Sequence, residues 1–260
     1  MLRSKSLVAL LSISIFFFFL SCNKSNVVSP SGVSSHKQLV KIAIDSSNYT
    51  ELLYQNDKLL EYRIIANSEI FTSILLNYNN GSSPSSEYYS SNSNDLLKNY
   101  YYNSSSRLDS TYIMIKDSTN IYKFIGYISY YYNDQNQLLK MTQYSAGRNL
   151  LFTTEYTYDA AGNLIKEHMY GLNGYDKVTT MEYDNKINPW HSLKNYLHYD
   201  ISLSNNNLIS GTATYANSPL QNNQFEYSYT YDSYGYPLTS KIETTNGGTK
   251  TTVNETFEYQ

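Results

Sequence analysis

The chain has 260 residues and a formal net charge of −3, with 30 Tyr, 9 Phe, 1 Trp and only 16% charged residues. So many aromatics with so little charge exclude a disordered chain, and the mild acidity without a basic cluster argues against a nucleic-acid partner and against electrostatic binding to anionic lipid. Abundant Tyr and Thr suit pleated, half-buried strands, and abundant Asn, Ser and Gly suit turns, so composition already points to an all-β protein.

The chain opens with Arg3 and Lys5, then a low-polarity run from Leu7 to Leu20 that includes Phe16 to Phe19, then Leu20-Ser21-Cys22. A positive start, a short apolar stretch and a small residue before the cut describe a secretory signal peptide over 1–21. The run is shorter than the ~20 residues that a spanning helix requires. Its Leu-Ser-Cys ending resembles a bacterial lipobox, which implies cleavage before Cys22 and lipidation of that cysteine, the only one in the chain. Cleavage removes two cations and takes the net charge from −3 to −5. Residues 22–38, rich in Ser, Asn, Val, Pro and Gly, read as the lipidated Cys and a flexible tether. Residues 23 to 26 contain no acidic residue, which slightly favours the periplasmic face of the outer membrane over the cell surface.

Residues 39–260 read as one domain built from a repeat. Alternating aromatics end in Tyr, followed by Asp or Asn, a short polar turn, and Leu or Ile. The clearest copies run from Tyr156 through Asp159 and Gly162 to Lys166, and from Tyr229 through Asp232 and Gly235 to Leu238. Looser copies run from Tyr130 to Lys140 and from Tyr101 to Leu108, and weak ones begin at Tyr54, Tyr78 and Leu203. Tyr54, Tyr78 and Tyr102 are 24 residues apart, while Tyr132, Tyr158 and Tyr183 follow at 26 and 25. Such a period holds two strands and two turns, so each repeat is one hairpin plus a link.

Alternation places Phe152, Thr154, Tyr156 and Tyr158 on one face. It does the same for Phe225, Tyr227, Tyr229 and Tyr231, and for Val253, Glu255, Phe257 and Tyr259. Period two with one aromatic face describes strands buried on one side. The Asp or Asn after the last Tyr can accept a backbone N–H two residues on, and Gly162 or Gly235 can supply a positive φ. Leu164 or Leu238 then begins the return strand. Residues 79–95 read as a long loop and 185–194 as an irregular crossing.

The Tyr158-Asp-Ala-Ala-Gly-Asn-Leu164 pattern resembles the Tyr-Asp (RHS-like) repeats of large secreted shell-forming proteins. Together with the lipobox, the Tyr183 to Pro189 stretch and the terminal Phe257-Glu-Tyr259-Gln, it resembles a family of Gram-negative lipoproteins described as a domain of unknown function with a porin-like fold. That resemblance implies a barrel but no catalytic residues. The length of the repeat region independently predicts roughly 14–18 strands. The expected fold is an antiparallel up-and-down meander closed into a large porin-like barrel, since closure removes exposed edges; an open or rolled single sheet is the alternative. A ~16-stranded barrel is too wide for side chains alone to fill, and inward tyrosines would suit a wet interior. The faces opposite the aromatics carry Glu155, Glu226, Thr and Ser, which speaks against a lipid-embedded wall.

No catalytic, metal or cofactor site is expected. The histidines, His36, His168, His191 and His198, show no ligand spacing, and GxSxG, P-loop and GxGxxG motifs are absent. Asp159, Asp184 and Asp232 could hold calcium in turns, but turn initiation accounts for them more simply. Among the aromatics, Tyr101 and Tyr131 are the candidate ligand-binding residues: in the runs Tyr100 to Tyr102 and Tyr130 to Tyr132 the middle ring must lie off the main aromatic face. The expected role is a non-catalytic, lipid-anchored cell-envelope lipoprotein that binds a glycan or an envelope protein or acts as a scaffold. A carbohydrate-binding accessory is the alternative. A carboxylate-dependent hydrolase is the further one, and it requires two carboxyls facing each other across a cleft.

Overall fold

The structure is a computed structural model that describes residues 37–79, 81–91, 95–194 and 202–260. The leader, Cys22, most of the tether, His36 and His198 lie outside the described residues. Sixteen strands follow in order: β1 (Leu39–Ala43), β2 (Tyr49–Gln55), β3 (Lys58–Ala66), β4 (Glu69–Asn77), β5 (Ser86–Ser91), β6 (Asp95–Tyr102), β7 (Leu108–Lys116), β8 (Tyr122–Tyr132), β9 (Leu138–Ser145), β10 (Leu150–Tyr158), β11 (Leu164–Gly171), β12 (Asp176–Tyr183), β13 (Leu208–Tyr215), β14 (Asn223–Tyr231), β15 (Pro237–Asn246) and β16 (Thr249–Tyr259). Each pairs antiparallel with its neighbour in sequence, and β1 pairs with β16 through Ile42↔Phe257 and Ala43↔Thr256. The sheet is therefore a closed meander barrel, and the open or rolled alternative is excluded. The expected long loop over 79–95 is too broad, because β5 occupies its middle, pairing Tyr88 with Leu75 and Leu97. Its Ser-rich composition hid a strand held mainly by its neighbours.

Because the strand number is even, both termini emerge at one end of the barrel, where Gln38 and Gln260 exchange backbone hydrogen bonds of 3.0 Å. The Asx turns of the Tyr-Asp and Tyr-Asn copies lie at that end, while Asp45 and Asp117 make Asx turns at the other. Asp159 accepts the N–H of Asn163 at 2.8 Å, Asn133 that of Gln137 at 2.8 Å, and Asp232 those of Tyr234 and Tyr236 at 2.9 and 3.0 Å. The fourth turn residue takes a positive φ in every copy: 84° at Gly162 and 89° at Gly235, but also 58° at Ser106 and 64° at Asn136.

A bulge follows each of these turns. Tyr102 pairs with Leu108 but Tyr101 with Ser110, and the same skip occurs at Tyr132↔Leu138, Tyr158↔Leu164 and Tyr231↔Pro237. The extra residue restores parity, so Leu138 and Met141 can both point inward with Leu139 between them turned out. This corrects one expectation: Pro237, not Leu238, is the inward residue that begins β15, and Leu238 is the outward bulge residue. The closing tyrosines also lace the strands together. Tyr54, Tyr78, Tyr102, Tyr183 and Tyr259 donate hydroxyl hydrogen bonds of 2.6–2.8 Å to the carbonyls of Leu39, Leu59, Pro84, Leu164 and Pro237.

β12 and β13 are joined by residues 184–207, of which the described parts, 184–194 and 202–207, pack over the same end. The connection carries a short 3-10 turn at Pro189–Leu193, where Asn188 accepts the N–H of Trp190. Leu193 packs with Leu39, Leu52, Leu59 and Leu76, whereas Leu203 packs with Leu108, Leu138, Tyr156 and Leu164. Leu203 is thus part of a plug and does not start a repeat. Several polar residues of the plug find partners on the wall or within the plug: Ser204 Oγ accepts from Leu164 N at 3.0 Å, Asn205 donates to Ala161 O at 2.6 Å, and Asn207 donates to Ile187 O at 3.0 Å. A buried amide that lost such partners would cost about 1–3 kcal/mol. Among the described residues no comparable segment crosses the opposite end.

Candidate functional site

The inner wall divides into a packed half and a looser half. Over β6–β11 the inward Tyr100, Ile113, Ile128, Tyr130, Met141 and Tyr156 form a fully buried cluster. The wide, empty lumen expected for this strand number is therefore filled on one side, by large aromatic rings and by the plug. Over β14–β16 the inward Phe225, Tyr227, Tyr229, Ile242, Val253 and Glu255 are only half-buried. There the β14 rings form a ladder along the strand: Tyr227 and Tyr229 are stacked at 6.1 Å, with Phe225 edge-on to Tyr227 at 6.2 Å.

The inward carboxylates on the strands are Glu87, Glu167 and Glu255. Glu87 faces Lys98 directly across β5 and β6, with Nζ at 2.9 Å, and also accepts the Tyr100 hydroxyl at 2.6 Å. Burial pulls the Lys98 ammonium down from its ordinary range, and the Glu87 charge opposes that. Glu167 on β11 meets Lys177 on β12 at 3.1 Å. Glu255 differs: it accepts the Ser240 hydroxyl at 2.8 Å and meets no cation among the described residues. Burial raises its pKa, and the Ser240 hydrogen bond offsets only part of that. Among the described residues no two inward carboxyls without a cation face one another, which is the pair a carboxylate hydrolase would need. Sequence parity had placed Glu255 on the aromatic face, but not the charges of β5, β6, β11 and β12, whose parity depends on bulges and distant partners.

The outer wall is two-sided. Over β4–β9 it carries an apolar cross-strand row, Leu75, Tyr88, Leu97, Met114 and Phe124. Beside it run Tyr101, Tyr112, Tyr127 and Tyr144, with ring centroids 4.9, 5.9 and 4.8 Å apart. Tyr101 and Tyr131 are 49% and 48% exposed, and both belong to this panel. The two candidates differ in surroundings: Tyr101 leans on Tyr112, while the Lys140 ammonium sits 4.8 Å above the Tyr131 ring. The remaining wall is ionic and hydroxylated, with Lys41–Glu258 at 3.0 Å, Arg63–Glu61 at 2.6 Å and Lys241–Glu243 at 2.8 Å. Over β14–β16 it also bears a shallow groove of ≈ 410 Å³ whose lining includes Ile44, Thr230, Thr239 and Lys241 together with Tyr229, Ser240 and Glu255. The apolar surface thus covers one side only and does not close into a band.

Asp159, Asp184 and Asp232 are occupied as turn acceptors, and Asp232 also meets Lys37 at 2.5 Å. Among the described residues no group of three His, Cys, Asp or Glu is placed to hold a metal. His168 meets Asp176 at 2.9 Å on the outer wall. His191 lies in the plug, where its Nε2 accepts from Lys194 Nζ at 2.7 Å. Burial first and the Lys194 charge second lower its pKa from 6.5 to about 4. Since the unfolded chain takes up this proton first, the stability held above about pH 6.5 is lost as pH falls toward 4. Discounted for partial exposure, the loss is about 2 kcal/mol. Urea midpoints at pH 7.5 and 5 should fall further for the native protein than for His191→Gln; equal falls would remove this histidine from the acid response.

No protein-family model matches the chain, and no curated protein matches it. Among solved structures it is similar to a porin-like protein from Bacteroides uniformis ATCC 8492, with a TM-score of 0.55 and 13% identity, covering 85% of this chain and 96% of that one. It is also similar to a porin-like protein from Bacteroides vulgatus ATCC 8482, with a TM-score of 0.40 and 14% identity, covering 86% and 99%. At that identity the first likeness concerns the fold alone: this chain is a closed 16-stranded barrel of porin-like architecture.

Proposed function

We propose that this protein is a non-catalytic, lipid-anchored envelope lipoprotein whose barrel binds a ligand or partner and conducts nothing. The observation that carries this reading is the plug: residues 184–194 and 202–207 pack over the end where the termini emerge, and half of the interior is packed core. A conducting pore requires a continuous wet lumen and an apolar outer band; the packed half of the interior narrows the first, and the apolar outer row spans β4–β8 only. The anchor would be the acylated Cys22. The location is the outer membrane, with the periplasmic face favoured by the absence of acidic residues at 23–26.

Two measurements test this reading. Full chain expressed with radiolabelled palmitate should incorporate label, and Cys22→Ala should not. The purified protein added to planar bilayers should give no stepwise conductance; reproducible channel steps would overturn the non-conducting assignment. A second reading, a carbohydrate-binding accessory, is favoured by the outer tyrosines. It expects glycan-array binding that weakens with Tyr101→Ala and Tyr131→Ala, and it fails if neither substitution changes binding.

A further inference from the structure

Among the described residues the interior strand charges are balanced at every position but one. Glu87 and Glu167 each have an ammonium at 2.9–3.1 Å. Glu255, on the loose side of the lumen, has one hydroxyl partner, Ser240, and its Oε1 has no hydrogen-bond partner among the described residues. A carboxylate held partly out of water without a cation is costly and is normally paired. Its surroundings are aromatic. Tyr229 lies two strands away in the same cross-strand row, Tyr229↔Ser240↔Glu255. Tyr227 occupies the next row, Tyr227↔Ile242↔Val253, and its ring stacks on that of Tyr229 at 6.1 Å. The Tyr229 hydroxyl is committed to Leu208 O at 3.0 Å, which fixes that ring as wall.

We propose that Glu255, with the rings of Tyr227 and Tyr229, forms a lumenal binding site for a small organic cation with an alkylammonium head. The carboxylate supplies the counter-charge, and the tyrosine faces supply cation–π attraction, which is strongest for desolvated cations of this kind. A hard metal ion is disfavoured, since it requires several oxygen ligands and the wall around Glu255 offers one carboxylate and a ring of phenols. The site deepens the reading of the barrel as a binding module and rests on it.

The test uses the full chain in non-ionic detergent, with choline chloride as the probe and isothermal calorimetry as the readout. Its uncharged isostere, 3,3-dimethylbutanol, and calcium chloride serve as comparisons. Saturable choline binding is expected, at least 10-fold weaker for the isostere and at least 10-fold weaker in Glu255→Gln. Tyr227→Ala should weaken it several-fold, and Ser240→Ala should leave it within 3-fold. Glu255→Gln should also melt at a temperature equal to or above that of the native protein, because it removes a half-buried charge that faces no cation; this separates lost binding from lost folding. Absent choline binding, equal binding by the isostere or by Glu255→Gln, or displacement by calcium would each overturn the proposal. Channel activity with choline binding intact would sink the non-conducting reading and leave this site standing, whereas a silent barrel that ignores choline would do the reverse.

Discussion

Lys177→Met should destabilise the barrel by about 3–5 kcal/mol at pH 7, the usual cost of leaving one member of a buried ion pair behind. Lys177 is 2% exposed, and its Nζ lies 3.1 Å from a Glu167 carboxylate that is buried as well. The methylene stem of Met replaces the volume of the Lys chain, so the loss concerns charge more than packing. Stranded Glu167 would escape by taking a proton. The penalty should therefore shrink as pH falls, and Lys177→Met should approach the native protein in urea midpoint near pH 5. The double variant Lys177→Met/Glu167→Leu should recover most of the loss at pH 7, since apolar replacement of a whole buried pair is often neutral. A single variant that is equally weak at both pH values, or a double variant no better than the single, would show that the pair is not the source of the effect.

Gly126→Ala should cost about 3 kcal/mol, at the upper end of what overpacking does. Gly126 pairs with Ile113 on β7 and Ser145 on β9, next to the bulge between Ile113 and Met114. A Cβ built there would stand 2.2 Å from the Tyr144 carbonyl oxygen and 3.3 Å from its carbon. Both atoms are backbone, so no rotamer change relieves the clash and a strand must shift. The shift would be felt by the Tyr127–Tyr144 stack, whose ring centroids are 4.8 Å apart. A lower melting temperature together with a changed near-ultraviolet circular dichroism signal is expected. Gly147→Ala is the control: its nearest contact is the tip of the Asn149 side chain at 3.5 Å. Indistinguishable melting of the two variants would refute the argument from close approach.

Much of the barrel is written locally. The alternation of Phe225, Tyr227, Tyr229 and Tyr231 with Glu226, Ser228 and Thr230 specifies a strand with one inward face, because consecutive side chains on a pleated backbone point opposite ways. Asp159 and Asp232 specify their turns because an Asx side chain captures backbone N–H groups within four residues. The outward position of Tyr101 and Tyr131 follows from the same parity. Only the bulges break the pattern. At Leu238 the extra residue shifts the inward position to Pro237, and nothing short of the cross-strand pairing with Tyr231 reveals it.

What the residues of 39–260 determine by themselves is strand, turn and inward face, since those depend on neighbours a few positions away. Closure of β1 on β16, the packing of 184–194 and 202–207 over one end and the pairing of Glu87 with Lys98 and Glu167 with Lys177 were decided by the tertiary structure. These contacts join positions brought near only by the registers of whole strands, and a buried charge is tolerable only where such a register delivers its counter-ion. Glu255 shows the division most directly: alternation alone turns it inward, and only the assembled wall leaves it without a cation.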